Sequence, residues 1–517
     1  MLPKLDINNI SFEDSKTWNL IQKGHTSGVF QLESDLGKQW VSKIKPRNIN
    51  ELSAVLALLR PACLDSGMTQ QYYLIKSGQE PPLKFQDPKI DSILEYTKGV
   101  LIFQEQLMKF GSEIAWTDLP HIEKLVTVDK LRKGIAKKDS KLIANLRNSF
   151  IEGCIRNGWS SEIAHQLFEL IENAGRYAFN DAHAKKYALW SYRAAYLKAN
   201  YPYQFYCVYM TYSKMKQKPR EELYNLINEA RMLNITIFPP MVTHKNAEFQ
   251  ISNIKGVNGI VYGLSHIKQV SLNDIKIINQ HDIETFQKLI NLLINPGLEK
   301  RIRIQTLTGL IQSGACDVYD ISRISMLGLI DIVKNLSVKE KEYLSRYMDD
   351  CKDYKEVKNI LWIISNEISI KKRKDLVQSE VNMWDTESKD NHEQNLILEN
   401  ELLGIEISTQ ENIIPGKRSM SCKACFSNYQ SNENKRGFLV SRIKEIREII
   451  TKRGRNKGSQ MAQLTLSDNT GSIRVACFAE VYGGLKDLLE ENQIYEFQLN
   501  GTGSGWCIKS ASISKKE

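Results

Sequence analysis

The spacing of apolar residues changes once along the chain, and that change separates two kinds of structure. As far as about Asn400 apolar residues recur every three or four positions, whereas from Arg436 onward they alternate. Within residues 6–212, ELSAVLALLRP, HQLFELIENAG and KKYALWSYRAAYLKANYP carry helical spacing and end at proline or glycine, so each predicts a helix. In the last, Tyr187, Trp190, Ala194 and Leu197 share a face expected to pack as core, and Pro202 fixes the stop. Residues 221–322 read as shorter helical pieces with one exposed strand and a break at Pro239 and Pro240. Residues 326–400 mix helices with the polar tract DTESKDNHEQN (385–395), which has too few apolar residues to pack and reads as a flexible linker. In SIRVACF, Ile473, Val475 and Cys477 alternate with Ser472, Arg474 and Ala476, and the preceding SDNTG supplies turn residues. The expected fold is multidomain α+β, mainly α-helical at first and ending in an antiparallel β-barrel, with domains at 1–215, 216–325, 326–430 and 431–517.

A chain of 517 residues is too long for one core. Its net charge of +10 favours an acidic partner without identifying one. MLPKLDINNI lacks the apolar core of a signal peptide, and no later run approaches the roughly 20 apolar residues that span a bilayer. A cytoplasmic location without membrane partners is expected. The nine cysteines are scattered except for Cys422 and Cys425, which have the spacing of half a zinc site with no second pair to complete it. Packed, reduced thiols are expected, Cys477 and Cys507 lie on predicted strands, and no metal site is expected in this chain.

The densest charge lies in DKLRKGIAKK (129–138), where Lys130, Arg132, Lys133, Lys137 and Lys138 surround Gly134. On a continuous helix Lys130, Lys133 and Lys137 would line one face and Arg132 would point elsewhere, whereas a turn at Gly134 could bring Arg132 and Lys133 to one ligand. Arginine offers phosphate a planar fork and lysine a point charge, which suits a triphosphate or a DNA backbone. A solvated charged face is the alternative on composition.

GVFQLES (28–34), ALLRPA (57–62), TKGVLIFQEQLM (97–108), DKLRKGIAKK and the run from FNDAH (179–183) through AYLKANYP (195–202) resemble, in that order, the finger region of the bacterial DNA polymerase III alpha subunit, a C-family replicative polymerase. The resemblance implies that Arg132 and Lys133 grip the triphosphate of an incoming dNTP, with Lys133 standing where the family commonly has arginine, and that His183 lies at the nucleotide site. Lys137 and Lys138 would meet phosphate or DNA. IVYGLSHIKQV (260–270) resembles the family's helix-hairpin-helix segment, although Gln269 and Ser271 stand where hairpin glycines are expected. LIQSGACDVYDISR (310–323) fits the same pattern as a packing element. The stretch from KRGFLVSRIKEIREIITKRGRNKG onward resembles the family's oligonucleotide-binding (OB) barrel, with Lys435, Arg436, Arg442, Lys444, Arg447, Lys452, Arg453, Arg455 and Lys457 facing only Glu445 and Glu448. Of these, Lys452, Arg453 and Arg455 are the candidate DNA contacts, with a solvated basic loop as the alternative. EVNMWD is the nearest match to a sliding-clamp peptide, with Met383 and Trp384 as anchors, or equally a core contact.

The four domains are then expected to be fingers, a helix-hairpin-helix region for DNA and clamp, a helical segment with linker, and an OB-fold. Phosphoryl transfer needs two metal ions held by carboxylates. In the family these lie in the palm, for which Asp349 and Asp350 are poor substitutes, so no catalytic residue is expected here and Mg2+ is expected on another part. The implied function is the C-terminal portion of a split or truncated DNA-directed DNA polymerase. It would bind dNTP and template/primer DNA with a palm-bearing polypeptide, and contact the sliding clamp and other replisome subunits. The alternative is a non-catalytic, polymerase-derived DNA-binding or clamp-binding replication protein.

Overall fold

The computed structural model describes residues 5–85, 87–137, 139–175, 177–351, 353–408, 420–427, 435–451, 458–468, 471–491, 493–502 and 505–513. The chain divides into two compact units, residues 1–202 and 203–517.

The first unit is helical and has two cores. One gathers α1 (Ser15–Gln22), α2 (Asp35–Ile44) and α3 (Ile49–Leu58) with the later helix α8 (Asp181–Asn200), through Ile21, Val41, Leu52, Val55, Ala188 and Tyr192. The other gathers α4 (Gln104–Lys109), α5 (His121–Lys137), α6 (Ser140–Arg156) and α7 (Ser161–Gly175), through Leu107, Leu131, Ile135, Phe150 and Phe168. Polar side chains start the helices where local sequence allows: Ser34 caps α2, Asn48 caps α3 and Asn180 caps α8 by accepting from the amides of Gly37, Glu51 and His183. As expected, α8 stops just before Pro202.

The buried face of α8 differs from the expected one. Trp190 is 56% exposed, and the face that packs carries Ala184, Ala188, Ser191, Tyr192, Ala195 and Lys198. The small side chains there let α8 lie closely against α3, with Tyr192 as the one aromatic residue of the buried face and Trp190 on the outer side.

The second unit begins with α9 (Pro219–Met232) after a helical entry segment. A three-stranded sheet follows, ordered β1 (Thr236–Phe238), β3 (Val257–Val261), β2 (Gln250–Ile254), with β1 parallel and β2 antiparallel to β3. Lys255 and Gly256 both have positive φ in the two-residue turn between β2 and β3, the geometry that suits strand twist. Helices α10 (Leu272–Gln280), α11 (Phe286–Ile294), α12 (Ile304–Gln312), α13 (Arg323–Asn335), α14 (Val338–Met348), α15 (Lys371–Met383) and α16 (His392–Leu403) share one core with this sheet.

The polar tract 385–395 stays largely at the surface but is tied down by hydrogen bonds rather than hanging free. The Asp390 carboxylate accepts from the amides of Arg323 and Ile324 at the start of α13, and residues 392–395 open α16. The long-range partner that draws the segment in is Arg323. Its guanidinium meets Asp317 at 2.6 Å and the fully buried Glu399 at 2.8 Å, while the other Glu399 oxygen accepts from the amides of Ile407 and Ser408. Every acceptor in this buried knot is committed.

The C-terminal strands β4 (Arg436–Ile450), β5 (Gln460–Asp468), β6 (Gly471–Cys477), β7 (Ile494–Thr502) and β8 (Gly505–Ile513) close into a barrel in the order β4-β5-β6-β8-β7. A parallel contact, Ala476 opposite Cys507, completes the closure. Ile473, Val475 and Cys477 point inward, as their alternation requires, and pack with Leu464, Tyr495 and Phe497. Met232 of α9 joins this barrel core. A closed five-stranded barrel of this kind is the OB architecture. Among the described residues no helix is long and apolar enough to cross a membrane.

Arg323→Ala would leave Glu399 buried without its counter-charge, so the second unit should lose about 3–5 kcal/mol in chemical denaturation. An unchanged denaturation midpoint would contradict the clasp.

Candidate nucleotide-binding and DNA-binding surfaces

Four separated sequence motifs meet along α8. The loop at 24–34 folds on itself through the Thr26 hydroxyl, which donates to the Leu32 carbonyl at 2.6 Å. It is tied down by Lys198, buried to 1% exposure, whose ammonium donates to the Ser27 carbonyl at 2.6 Å. Lys38 donates to the Ser27 hydroxyl at 2.8 Å and the Ser191 hydroxyl to the Phe30 carbonyl at 2.7 Å. From the second motif, Arg60 donates to the Tyr177 carbonyl at 2.5 Å and stacks 4.5 Å from the centre of the Phe179 ring. From the third, Gln104 N–H donates to the Phe179 carbonyl at 2.8 Å, and Glu105 accepts from the Asn180 side chain and the Asp181 amide at 2.7 and 2.8 Å.

This frame presents an aromatic shelf. His183 is exposed, its ring 4.1 Å from Tyr187 and 5.5 Å from Phe179, and Phe30 lies edge-on to Tyr187 at 5.2 Å. Neither Glu105 nor Arg60 reads as a site residue from composition. Their signal is that each lies inside one of the ordered motifs.

The basic stretch 129–137 continues helix α5 straight through Gly134, so no turn forms there. A Cβ on Gly134 would sit 3.3 Å from the Leu142 side chain, which makes this glycine the point where α6 approaches α5. Arg132 and Lys133 meet by another route. Asp129 lies one turn back, and its carboxylate takes Arg132 at 2.8 Å and Lys133 at 2.6 Å. Hydrogen bonds from Lys133 and then Arg132 hold the Asp129 carboxyl below the usual carboxylate range. The i−3 and i−4 spacing of this acid was readable from sequence, but attention to the cations alone misses it. Lys130 and Lys137 are exposed on the same helix, and Lys138 lies outside the described residues. Among the described residues no hydrogen bond, ion pair or ring contact joins the Arg132 and Lys133 pair to His183.

In the second unit the segment 267–271 makes a tight hairpin before α10. Gln269 adopts φ 77°, the left-handed conformation that glycine takes most easily, so the hairpin shape survives the loss of glycine. The hairpin is anchored by the Lys268 amide on the Leu402 carbonyl at 3.0 Å and by the Thr306 hydroxyl on the Gln269 carbonyl at 3.2 Å. Among the described residues the amides of Gln269 and Ser271 donate to no other group. Two unspent N–H groups beside the exposed Lys268 are what a phosphate oxygen needs.

The remaining candidates divide. Trp384 is 4% exposed and its indole N–H donates to the Ser325 carbonyl at 2.9 Å, so in this structure it is a core residue and not a free clamp anchor. Met383 beside it is 73% exposed. On the barrel, Lys452, Arg453 and Arg455 lie outside the described residues. Lys444 is spent on Glu406, whereas Arg436 and Arg447 are exposed. Cys422 and Cys425 are both buried, and burial pushes the Cys425 thiol up to about 12. They pack the barrel edge, where the Cys422 amide donates to the Asp468 carboxylate and the Trp506 indole to the Cys425 carbonyl. Among the described residues no group of three or more His, Cys, Asp or Glu side chains is placed to hold a metal, and Asp349 is engaged by Asn291 at 2.8 Å.

The helical unit with its basic helix α5 and aromatic shelf is thus followed in the chain by a hairpin-bearing helical region and a five-stranded OB barrel. Residues 3–158 match the family model for the bacterial DNA polymerase III alpha subunit finger domain, and residues 234–326 match a helix-hairpin-helix motif. The chain is 31% identical over 506 residues to DNA polymerase III subunit alpha of Aquifex aeolicus (strain VF5), covering 95% of this chain and 38% of that protein. It is 29% identical over 500 residues to the Bacillus subtilis (strain 168) subunit, at 95% and 40% coverage. With the Escherichia coli (strain K12) subunit it shares 32% identity over 321 residues, or 61% of this chain and 27% of that protein. The chain carries a match to the DNA polymerase III alpha finger domain and a helix-hairpin-helix motif, is similar to that subunit over 95% of its own length, and spans about two fifths of the Aquifex and Bacillus relatives.

At φ 77° a β-branched side chain is strained. Gln269→Val should therefore cost about 1–2 kcal/mol in thermal unfolding, whereas Gln269→Gly should be no less stable than the wild type. Equal stability of the valine and glycine variants would contradict the left-handed hairpin.

Proposed function

We propose that this chain is the nucleotide- and DNA-gripping side of a DNA-directed DNA polymerase, acting in the cytoplasm with a palm-bearing polypeptide. The observation that carries this reading is the convergence of Arg132 and Lys133 on one carboxylate, because two side chains that share one anion can also share one phosphate group. Arg132 would place its fork on two phosphate oxygens and Lys133 a point charge on a third. Asp129 would release them as the more highly charged triphosphate arrives. His183, on its aromatic shelf, would offer a ring N–H to the same nucleotide.

The hairpin amides of Gln269 and Ser271, with Lys268, would hold template or primer phosphate, and the barrel would take single-stranded template, with Lys452, Arg453 and Arg455 as its basic contacts. Lys137 and Lys138 would extend the phosphate-binding surface of α5. No step of the bond-forming chemistry is assigned to this chain. Mg2+ would be held by the palm-bearing polypeptide. Clamp contact, if made through residues 380–385, would rest on Met383, because Trp384 is committed to the core.

Titration of a fluorescent dNTP into the chain tests the nucleotide site directly. Arg132→Ala should weaken binding by about 1–3 kcal/mol, the scale of a charge-assisted hydrogen bond. Wild-type affinity in that variant would remove Arg132 from the site.

A further inference from the structure

The end of α13, the first turn of α14 and the first turn of α15 are knotted around one buried carboxylate. Glu340, with a side chain 2% exposed, pairs with Arg373 at 3.0 Å and accepts from the Ser369 hydroxyl at 2.7 Å and the Ser337 amide at 2.6 Å. Arg373 also donates to the Asn335 carbonyl at 2.5 Å. Burial disfavours the charged Glu340 side chain, but the bonds from Arg373, Ser369 and Ser337 outweigh it and hold the carboxyl at about 2. Glu340 is therefore ionised and fully occupied.

The same knot gathers cations that Glu340 cannot serve. Lys334 ends α13, Lys339 and Lys341 lie on the first turn of α14, and Lys371, Lys372 and Lys374 flank Arg373. Lys341 donates to the Lys334 carbonyl at 3.5 Å. Burial, then the nearby charges of Arg301 and Arg373, disfavour its protonated form. Among the described residues none of Lys334, Lys339, Lys341, Lys371, Lys372 or Lys374 forms an ion pair, although Glu342 and Asp375 are neighbours in sequence. The first turn of α15 carries no acidic residue. Like charges at this density repel one another, and cations at the start of a helix oppose its dipole. A polyanion laid across the three helix ends would relieve both costs.

We propose that Lys334, Lys341, Lys371, Lys372 and Lys374 form a sequence-independent contact for the phosphate backbone of duplex DNA, separate from the hairpin and the barrel. Lysines supply point charges without base readout, which suits backbone phosphate, and a helix-hairpin-helix motif occupies the same unit. The proposal rests on the reading that the chain handles DNA, but it uses neither the nucleotide site nor the hairpin. Ile370 and Val338, 67% and 77% exposed at the edge of the patch, make an anionic lipid surface the competitor to test.

The full chain would be titrated against a fluorescein-labelled 30-base-pair duplex between roughly 50 and 200 mM salt, where phosphate contacts report as a salt slope. The triple variant K371Q/K372Q/K374Q leaves Arg373 in place. It should bind duplex about tenfold or more weakly, with a salt slope reduced by about 2–3, each phosphate contact contributing about 0.9. Affinity and slope equal to the wild type would overturn the proposal. Lysine acetylation of the wild-type chain gives a readout independent of any variant. Duplex should protect Lys371, Lys372 and Lys374, and unchanged reactivity would overturn the assignment, as would protection by phosphatidylserine vesicles but not by duplex. Loss of binding in Lys268→Gln with none in the triple variant would overturn the patch and keep the DNA reading. Failure of the wild-type chain to bind duplex would overturn both.

Discussion

The finger site depends on a buried ammonium group. Lys198 lies near the C-terminal end of α8, under the loop that carries Phe30, and its donation to the Ser27 carbonyl offsets the cost of removing it from water. That bond, with Ser191 on the Phe30 carbonyl, fixes the loop to α8. At the other end of α8, Glu105 and Arg60 hold the Phe179–Asn180 turn. The aromatic shelf is thus presented by a helix pinned at both ends, which is what a nucleotide site needs if its groups are to be in place before the ligand arrives. The small residues on the buried side of α8 belong to the same requirement, since a bulky face would lift the helix away from α3.

In the second unit the corresponding constraint is the Arg323 and Glu399 pair. It returns residues 390–408 to the core of the hairpin region, and the same return brings the Leu402 carbonyl to the Lys268 amide and the Leu403 carbonyl to the Tyr262 hydroxyl. The exposed hairpin is therefore held by a segment more than a hundred residues later in the chain. Among the described residues, lysines without an ion pair gather at the first turns around Glu340.

What could be read from the sequence was what is encoded locally. The barrel announces itself because inward and outward residues alternate within each strand, and the stop of α8 because proline cannot continue it. The convergence of Arg132 and Lys133 was readable in principle from Asp129 at i−3 and i−4, without the turn that Gly134 suggested. The packing side of α8 is not legible from apolar size, because close helix contact selects alanine and serine around Tyr192 and leaves Trp190 outside. The anchoring of residues 385–395 is not legible in the sequence for a different reason: Arg323 lies 67 and 76 residues from Asp390 and Glu399, and no local pattern marks a contact that closes over such a distance. Trp384 shows the same limit, since its partner is the Ser325 carbonyl.

The family relation and the convergence of two cations on one anion lead to one central claim, that this chain supplies nucleotide and DNA binding to a polymerase whose metal-holding carboxylates lie elsewhere. Primer extension with Mg2+ tests it most directly, comparing this chain alone, the palm-bearing polypeptide alone and the two together. The account predicts template-dependent extension only when both are present. Extension by this chain alone would contradict it, and so would an absence of extension from the mixture while each component still binds primed DNA.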